Sequence, residues 1–148
     1  MEWNALLEIL AAAVGTLGFA LVFHIRGKKI FYVTFGGILG WALYLLLGLF
    51  FENEFARYLI VSVAVSLYAE IMARCLRTPT TVFSVVCLIP LVPGGALYYT
   101  MTSALSGSAD GFLANGIRTL SLAAALSLGV VLVNTSFVYI KRHTHRKK

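Results

Sequence analysis

Long apolar runs separated by short charged segments make up nearly all of this sequence. Of its 148 residues, 59% are hydrophobic and only 12% are charged, whereas a soluble domain carries about 25% charged residues. Such a chain cannot cover its surface with polar groups in water, so the composition predicts an integral membrane protein. The formal net charge is +6, but the basic residues lie between the apolar runs and at the C-terminus, as in cytoplasmic membrane loops. Nucleic-acid binding is therefore not expected.

A helix needs about 20 apolar residues to cross a hydrocarbon core of about 30 Å. On this criterion we predict an all-α fold, a single domain consisting of a bundle of five transmembrane helices. Glu2 and Glu8 stand where a cleavable signal would carry basic residues, so the first span is expected to be retained. The predicted spans are residues 3–23, 30–51, 57–74, 80–105 and 119–140, with a polar loop at 106–116 and a basic cytoplasmic tail at 141–148.

The charges of the predicted loops alternate in sign along the chain. The loop at Arg26, the loop at Arg74 and the C-terminal tail are basic, whereas the N-terminus, the Glu52 turn and the Asp110 loop are acidic or neutral. Basic loops remain in the cytoplasm. This pattern predicts an N-terminus outside the membrane and a C-terminus in the cytoplasm, in agreement with an odd number of spans.

The fourth predicted span is interrupted by helix-breaking residues, two prolines and two glycines between Pro90 and Gly95. Each proline removes a backbone donor and disturbs the preceding turn. Unpaired backbone groups are costly in hydrocarbon unless protein or a water-lined cavity satisfies them. Counted from Thr80, Pro90 lies about 15 Å deep, close to the midplane. The pattern is typical of a discontinuous transporter helix.

Such a break predicts a binding site for a carboxylate. The second half-helix is expected to begin near Pro93, where the following amides carry the partial positive charge of a helix N-terminus, and a tyrosine hydroxyl follows. A proline kink that serves only helix packing is the alternative interpretation. The predicted substrate-binding residues are Pro90, Pro93, Gly94, Gly95, Ala96 and Tyr98.

Glu70 is the acidic residue well inside a predicted span, and such residues are functional candidates. Arg74 follows four residues later, at the distance of an i,i+4 ion pair. Two roles remain open for Glu70 and Arg74: proton coupling or gating, and an interfacial ion pair that holds the helix end. Neither the two cysteines nor the three histidines form a metal pattern, so neither a metal nor a cofactor is expected.

Small residues recur in the first two spans at or near helical spacing, and internal helix packing is the preferred interpretation. Near the predicted outer surface, the charged side chains of Glu8 and Arg118 are expected to reach the interface by snorkelling. The small residues are Gly15, Gly18, Gly36, Gly37, Gly40 and Gly48.

Two segments resemble the small five-span subunit of the threonine/serine exporter family. They are Ala69–Pro79, which contains Glu70 and Arg74, and Ile89–Tyr98, which contains a Pro-Leu-Val-Pro-Gly run and a downstream tyrosine. The length, the five spans and the glycine-rich second span also fit, so the resemblance covers nearly the whole chain.

The resemblance implies export of amino acids such as threonine and serine across the bacterial inner membrane. It also implies a partner, a second five-span subunit of the same exporter family, with the substrate site between the two halves. The chain is thus expected to be a subunit of a secondary transporter for small carboxylate-bearing metabolites, not an enzyme. Two alternatives remain: a succinate or dicarboxylate exporter subunit, and a non-transporting assembly subunit of a membrane complex.

Overall fold

The computed structural model describes the backbone of residues 2–145 and the side chains of residues 4–140. The backbone of the predicted basic tail is described as far as residue 145, where it continues the last helix, and residues 146–148 lie outside the described part. Within the described part, the chain forms six α-helices and one 3-10 turn and has no strand. The helices are α1 (Glu2–Val22), α2 (Lys28–Gly48), α3 (Glu54–Cys75), α4 (Thr80–Leu88), α5 (Gly94–Leu105) and α6 (Ala109–His145), and the 3-10 turn Ile89–Leu91 lies between α4 and α5.

The helices α1, α2, α3 and α6 are each long and apolar enough to cross a membrane. The helix α4 with its 3-10 turn and the helix α5 together pass the same test, and they meet at an angle of 60°. The predicted fold class is confirmed: the chain is a polytopic helical bundle in which the fourth of five candidate spans is broken.

The first three helices pack side by side, α1 against α2 and α2 against α3. Both α4 and α6 pack against α3, and α5 packs against α6. We call the end of the bundle that holds Glu54 the acidic end. The opposite end, at Arg74, is the basic end. The helices α3 and α6 run in the same direction, because Arg118 of α6 lies beside Glu54 and Phe137 of α6 lies beside Arg74.

The glycines of α2 let its neighbours approach closely. A Cβ atom added at Gly36 would lie 2.6 Å from the sulfur of Cys87, and one at Gly40 would lie 2.9 Å from Val65. By contrast, a Cβ atom at Gly15 or Gly18 of α1 meets nothing within 4 Å. The packing interpretation is confirmed for α2, whereas within the described residues it is wrong for those two positions of α1.

A tight glycine turn joins α5 to α6. Gly107 has a φ of 71°, and the amide of Ser108 donates to the carbonyl of Ser103 at 3.1 Å, as in a Schellman motif. The two helices are held together by hydrogen bonds between Thr100 and Thr119 and from Asn115 to Ser103. The predicted loop at 106–116 is therefore wrong from Ala109 onward, because this segment is helical.

Gly107→Ala should lower the free energy of unfolding by about 1–2 kcal/mol, because a Cβ atom is disfavoured in the left-handed backbone region. Gly18→Ala is the matched control, since that glycine lies inside a helix and faces open space. The control should raise stability by about 0.5–1 kcal/mol. Denaturant titration of the helical circular dichroism signal in detergent measures both changes. Equal effects of the two variants would contradict the role of the turn.

Candidate functional site

One surface ridge of α3 is polar along its whole length. Polar residues occupy every fourth position of this helix, a spacing that aligns side chains along one ridge of a helix. The helix α6 covers the ridge, because Arg118, Ala125 and Phe137 contact its first, third and last members. The members of the ridge are Glu54, Tyr58, Ser62, Ser66, Glu70 and Arg74.

A cavity of about 230 Å³ lies near the acidic end of this ridge, where α5 begins. Residues 92–96 of the helix break line it, together with Glu54, Tyr58, Tyr99 and Arg118. We call it the acidic-end cavity. It brings the backbone of the break together with the polar side chains of three other helix segments.

The backbone of the break forms an inverse γ-turn. Pro93 has φ −73° and ψ 60°, the values of that turn, and the amide of Gly94 donates to the carbonyl of Val92 at 2.6 Å. The first hydrogen bond of α5 runs from the amide of Leu97 to the carbonyl of Pro93. The amides of Gly95 and Ala96 lie before that bond and have no partner within the helix. Thus Gly95 and Ala96, but not Gly94, offer free amides.

The start of α5 lies near the acidic end. Tyr44 and Tyr58 line the same cavity, and each is four residues from the acidic end of its own helix, a rise of about 6 Å. The midplane position was predicted for Pro90, five residues before Gly95, and it stays a prediction.

An ion pair ties α3 to α6 beside this cavity. The guanidinium of Arg118 donates through Nε to Oε2 of Glu54 at 2.8 Å and through Nη2 to Oε1 at 2.6 Å. Bidentate pairs of this kind are among the stronger polar contacts. This ion pair was not predicted, because Glu54 and Arg118 are far apart in the chain and the side chain of Arg118 was expected to snorkel.

Two of the predicted substrate-binding residues lie away from the acidic-end cavity. Pro90 instead borders a separate cavity with Glu8 and Trp41, and there the indole of Trp41 donates to Oε2 of Glu8 at 3.3 Å. Tyr98 is 65% exposed and contacts the ring of its neighbour Tyr99. The structure therefore brings together Pro93, Gly94, Gly95 and Ala96, with Tyr99 in the place expected for Tyr98.

A larger cavity of about 580 Å³ lies near the basic end of the ridge. The helices α4 and α6 each pack against α3 rather than against each other, and the cavity lies between them. Glu70 forms part of its lining, together with Thr80, Ser84, Asn134 and aliphatic side chains. We call it the basic-end cavity.

Glu70 is only 6% exposed. Its Oε2 lies 3.0 Å from Nη2 of Arg74, so the predicted ion pair forms, yet that buried oxygen accepts no well-directed hydrogen bond within the described residues. The guanidinium of Arg74 stacks 4.2 Å above the ring of Phe137 and does not line the cavity.

Between the two cavities the helices α3 and α6 are in close contact. The hydroxyl of Ser62 lies 3.4 Å from the carbonyl of Ala125. A Cβ atom on Gly129 would overlap that hydroxyl and lie 3.0 Å from the amide nitrogen of Val63. One turn further along, the buried hydroxyl of Ser66 has no hydrogen-bond partner within the described residues. On α3 this contact lies between the residues that line the two cavities, whereas Val92 of the helix break lines both.

Broken helices that border polar cavities are typical of secondary transporters, and the chain has this architecture within a polytopic membrane bundle. Among the residues described, no group of three or more His, Cys, Asp or Glu could hold a metal ion. The family described as Threonine/Serine exporter, ThrE, matches residues 8–136, and the chain belongs to this family. No solved structure shows a significant match. The resemblance found in the sequence is confirmed, and the family is described as one of exporters.

Proposed function

We propose that this chain is one subunit of a secondary transporter that exports small carboxylate-bearing amino acids of the threonine/serine type. The proposed location is the bacterial inner membrane, with the acidic end outside and the basic end in the cytoplasm. The observation that supports the proposal best is the acidic-end cavity, because it combines free helix amides with polar side chains beside a break in a membrane span.

The start of α5 has the chemistry of a carboxylate site. The helix has 12 residues and no side-chain cap at its N-terminus, so its macrodipole and the amides of Gly95 and Ala96 remain available to an anion. A Cβ atom at Gly94 or Gly95 would meet nothing within 4 Å, which leaves room for a ligand to approach the backbone. Hydrogen bonds to a charged group are worth about 1.5–3 kcal/mol each.

The proposed transporter includes a second five-span subunit that completes the site. The helix α5 supports this view, because it packs on α6 and contributes no buried residue to the described part of the bundle. Side chains of α5 are strongly exposed although apolar, as expected for a surface that meets another membrane helix or lipid. They include Leu97, Tyr98, Met101 and Leu105.

Gly95→Pro should reduce threonine export by about tenfold or more, because it removes one amide hydrogen bond to a charged group. Proline is tolerated in the first turn of a helix, where the amide has no helical partner. The matched control is Ala109→Pro, which places proline in the first turn of α6, away from the acidic-end cavity. Efflux of radiolabelled threonine from proteoliposomes that contain both subunits measures the effect.

Equal export by Gly95→Pro and the wild type would contradict the carboxylate site. The same assay with the chain alone and with its partner tests the wider proposal. Export is expected only when both subunits are present. Failure of both preparations to export would contradict the transporter function and favour an assembly role.

A further inference from the structure

We propose that the basic-end cavity is a second substrate site, which the substrate occupies before it reaches the acidic-end cavity, and that the carboxylate of Glu70 binds the ammonium group of the substrate there. This inference rests on the proposed transport function and deepens it, because it names the charge type of the substrate. A site that needs an ammonium group selects zwitterionic amino acids and discriminates against dicarboxylates.

The first argument is the placement of Glu70 in the cavity. Its carboxylate is nine-tenths buried, and its Oε2 lacks a well-directed hydrogen bond within the described residues. The side chain of Arg74 is 49% exposed and lies over Phe137, outside the cavity lining. A carboxylate has about four lone-pair sites, so the contact of Oε2 with Arg74 does not use all the acceptor capacity of this cavity-lining residue.

The second argument is the size and chemistry of the space next to that carboxylate. The volume of about 580 Å³ is within the range of about 300–1,000 Å³ found for small-molecule sites. An ammonium group carries three donors. Glu70 accepts one, and oxygen atoms of Thr80, Ser84 and Asn134, on the two helices that flank it, are available to the others and to a substrate hydroxyl.

The third argument separates this role from a purely structural ion pair. An i,i+4 pair stabilises its own helix wherever it lies on the surface and requires neither a buried carboxylate nor an adjacent cavity. A dicarboxylate would instead place like charges close together in a site of low polarity, where repulsion is strong. The lining is otherwise aliphatic, with side chains such as Val85, Leu88 and Val130.

Equilibrium binding of radiolabelled threonine to the purified two-subunit complex tests the inference independently of export. Glu70→Gln keeps the shape of the side chain but removes its charge, and it should weaken threonine binding by about tenfold or more, as expected for loss of a charge-assisted hydrogen bond. Threoninol, which retains the ammonium group without the carboxylate, should compete with threonine in the wild type and lose this ability in the variant. N-acetylthreonine and succinate should compete poorly in both.

Two further variants keep the test decisive. Glu52→Gln removes an exposed carboxylate at the acidic end and should leave threonine affinity unchanged. Arg74→Gln breaks the ion pair but keeps the carboxylate of Glu70, so it should not reproduce the loss seen with Glu70→Gln. Equal loss of folded protein or of affinity in both ion-pair variants would overturn the inference in favour of a structural pair.

Unchanged threonine affinity in Glu70→Gln, or competition by succinate as strong as that by threoninol, would also overturn the inference. A change in export rate without a change in affinity would assign Glu70 to coupling or gating instead. Failure of the proposed transport function can be distinguished from failure of this inference. A complex that binds threonine through Glu70 but exports none would contradict the transport function, whereas the binding site at Glu70 would be supported.

Discussion

Gly129→Ala should destabilise the bundle by about 1–3 kcal/mol, the usual cost of overpacking, and export should fall with it. The added Cβ atom overlaps the hydroxyl of Ser62 and lies 2.9 Å from its Cβ, so α6 must move away from α3. Rotation of the serine alone does not suffice, because the amide nitrogen of Val63 lies at 3.0 Å. Denaturant titration in detergent and threonine efflux measure the two effects.

Gly116→Ala is the matched control in the same helix. A Cβ atom there would lie 3.8 Å from Thr100, an ordinary contact, so stability should stay the same or rise. Ser62→Gly should restore part of the loss when it is combined with Gly129→Ala, since it removes the two closest atoms. Equal stability of Gly129→Ala and Gly116→Ala would refute the close contact between the cavities.

Arg118→Glu should nearly abolish export, because it replaces a bidentate ion pair with two carboxylates that repel each other across the acidic-end cavity. The exchanged double variant Glu54→Arg with Arg118→Glu rebuilds the pair in reverse and should recover much of the activity. Efflux assays on the single variants, the double variant and the wild type measure this recovery.

The control for charge is Glu52→Arg, which changes the net charge in the turn next to Glu54 without involving the Glu54–Arg118 contact. It should export like the wild type. A well-folded double variant that stays as inactive as Arg118→Glu would show that export does not depend on the ion pair. In that case Arg118 would act on another group, such as the substrate itself.

The sequence predicted the features that depend on local physics. The lengths of the apolar runs predicted the transmembrane helices, because each must span the same hydrocarbon thickness. The break also followed from local effects, since proline and glycine disturb their own turn whatever surrounds them. Pro93, Gly94, Gly95 and Ala96 accordingly lie together at one cavity.

Features that depend on distant partners could not be predicted in this way. Gly111, Asn115 and Gly116 suggested a loop, yet the segment is helical because α5 packs beside it and supplies Ser103 as a partner for Asn115. The ion pair between Glu54 and Arg118 likewise joins positions that are distant in sequence. Neither contact leaves a signal in local composition.

The spacing of the polar ridge of α3 is visible in the sequence, although the ridge was not predicted. Its members recur at every fourth position from Glu54 to Arg74, a pattern that can be counted. Tyr58, Ser62 and Ser66 are common in membrane helices and attract little notice one at a time. Their significance becomes clear only when the covering helix α6 and the cavities at both ends are known.

The uninterrupted length of α6 has a mechanical consequence. This helix touches α3 at Arg118, at Gly129 and at Phe137, so the middle contact lies about 16 Å from the first and about 12 Å from the last. When a rigid helix rotates about its middle contact, its two ends move in opposite directions. If α6 pivots at Gly129, the gap between α6 and α3 widens at one end of the bundle as it narrows at the other, so the two ends cannot open at the same time.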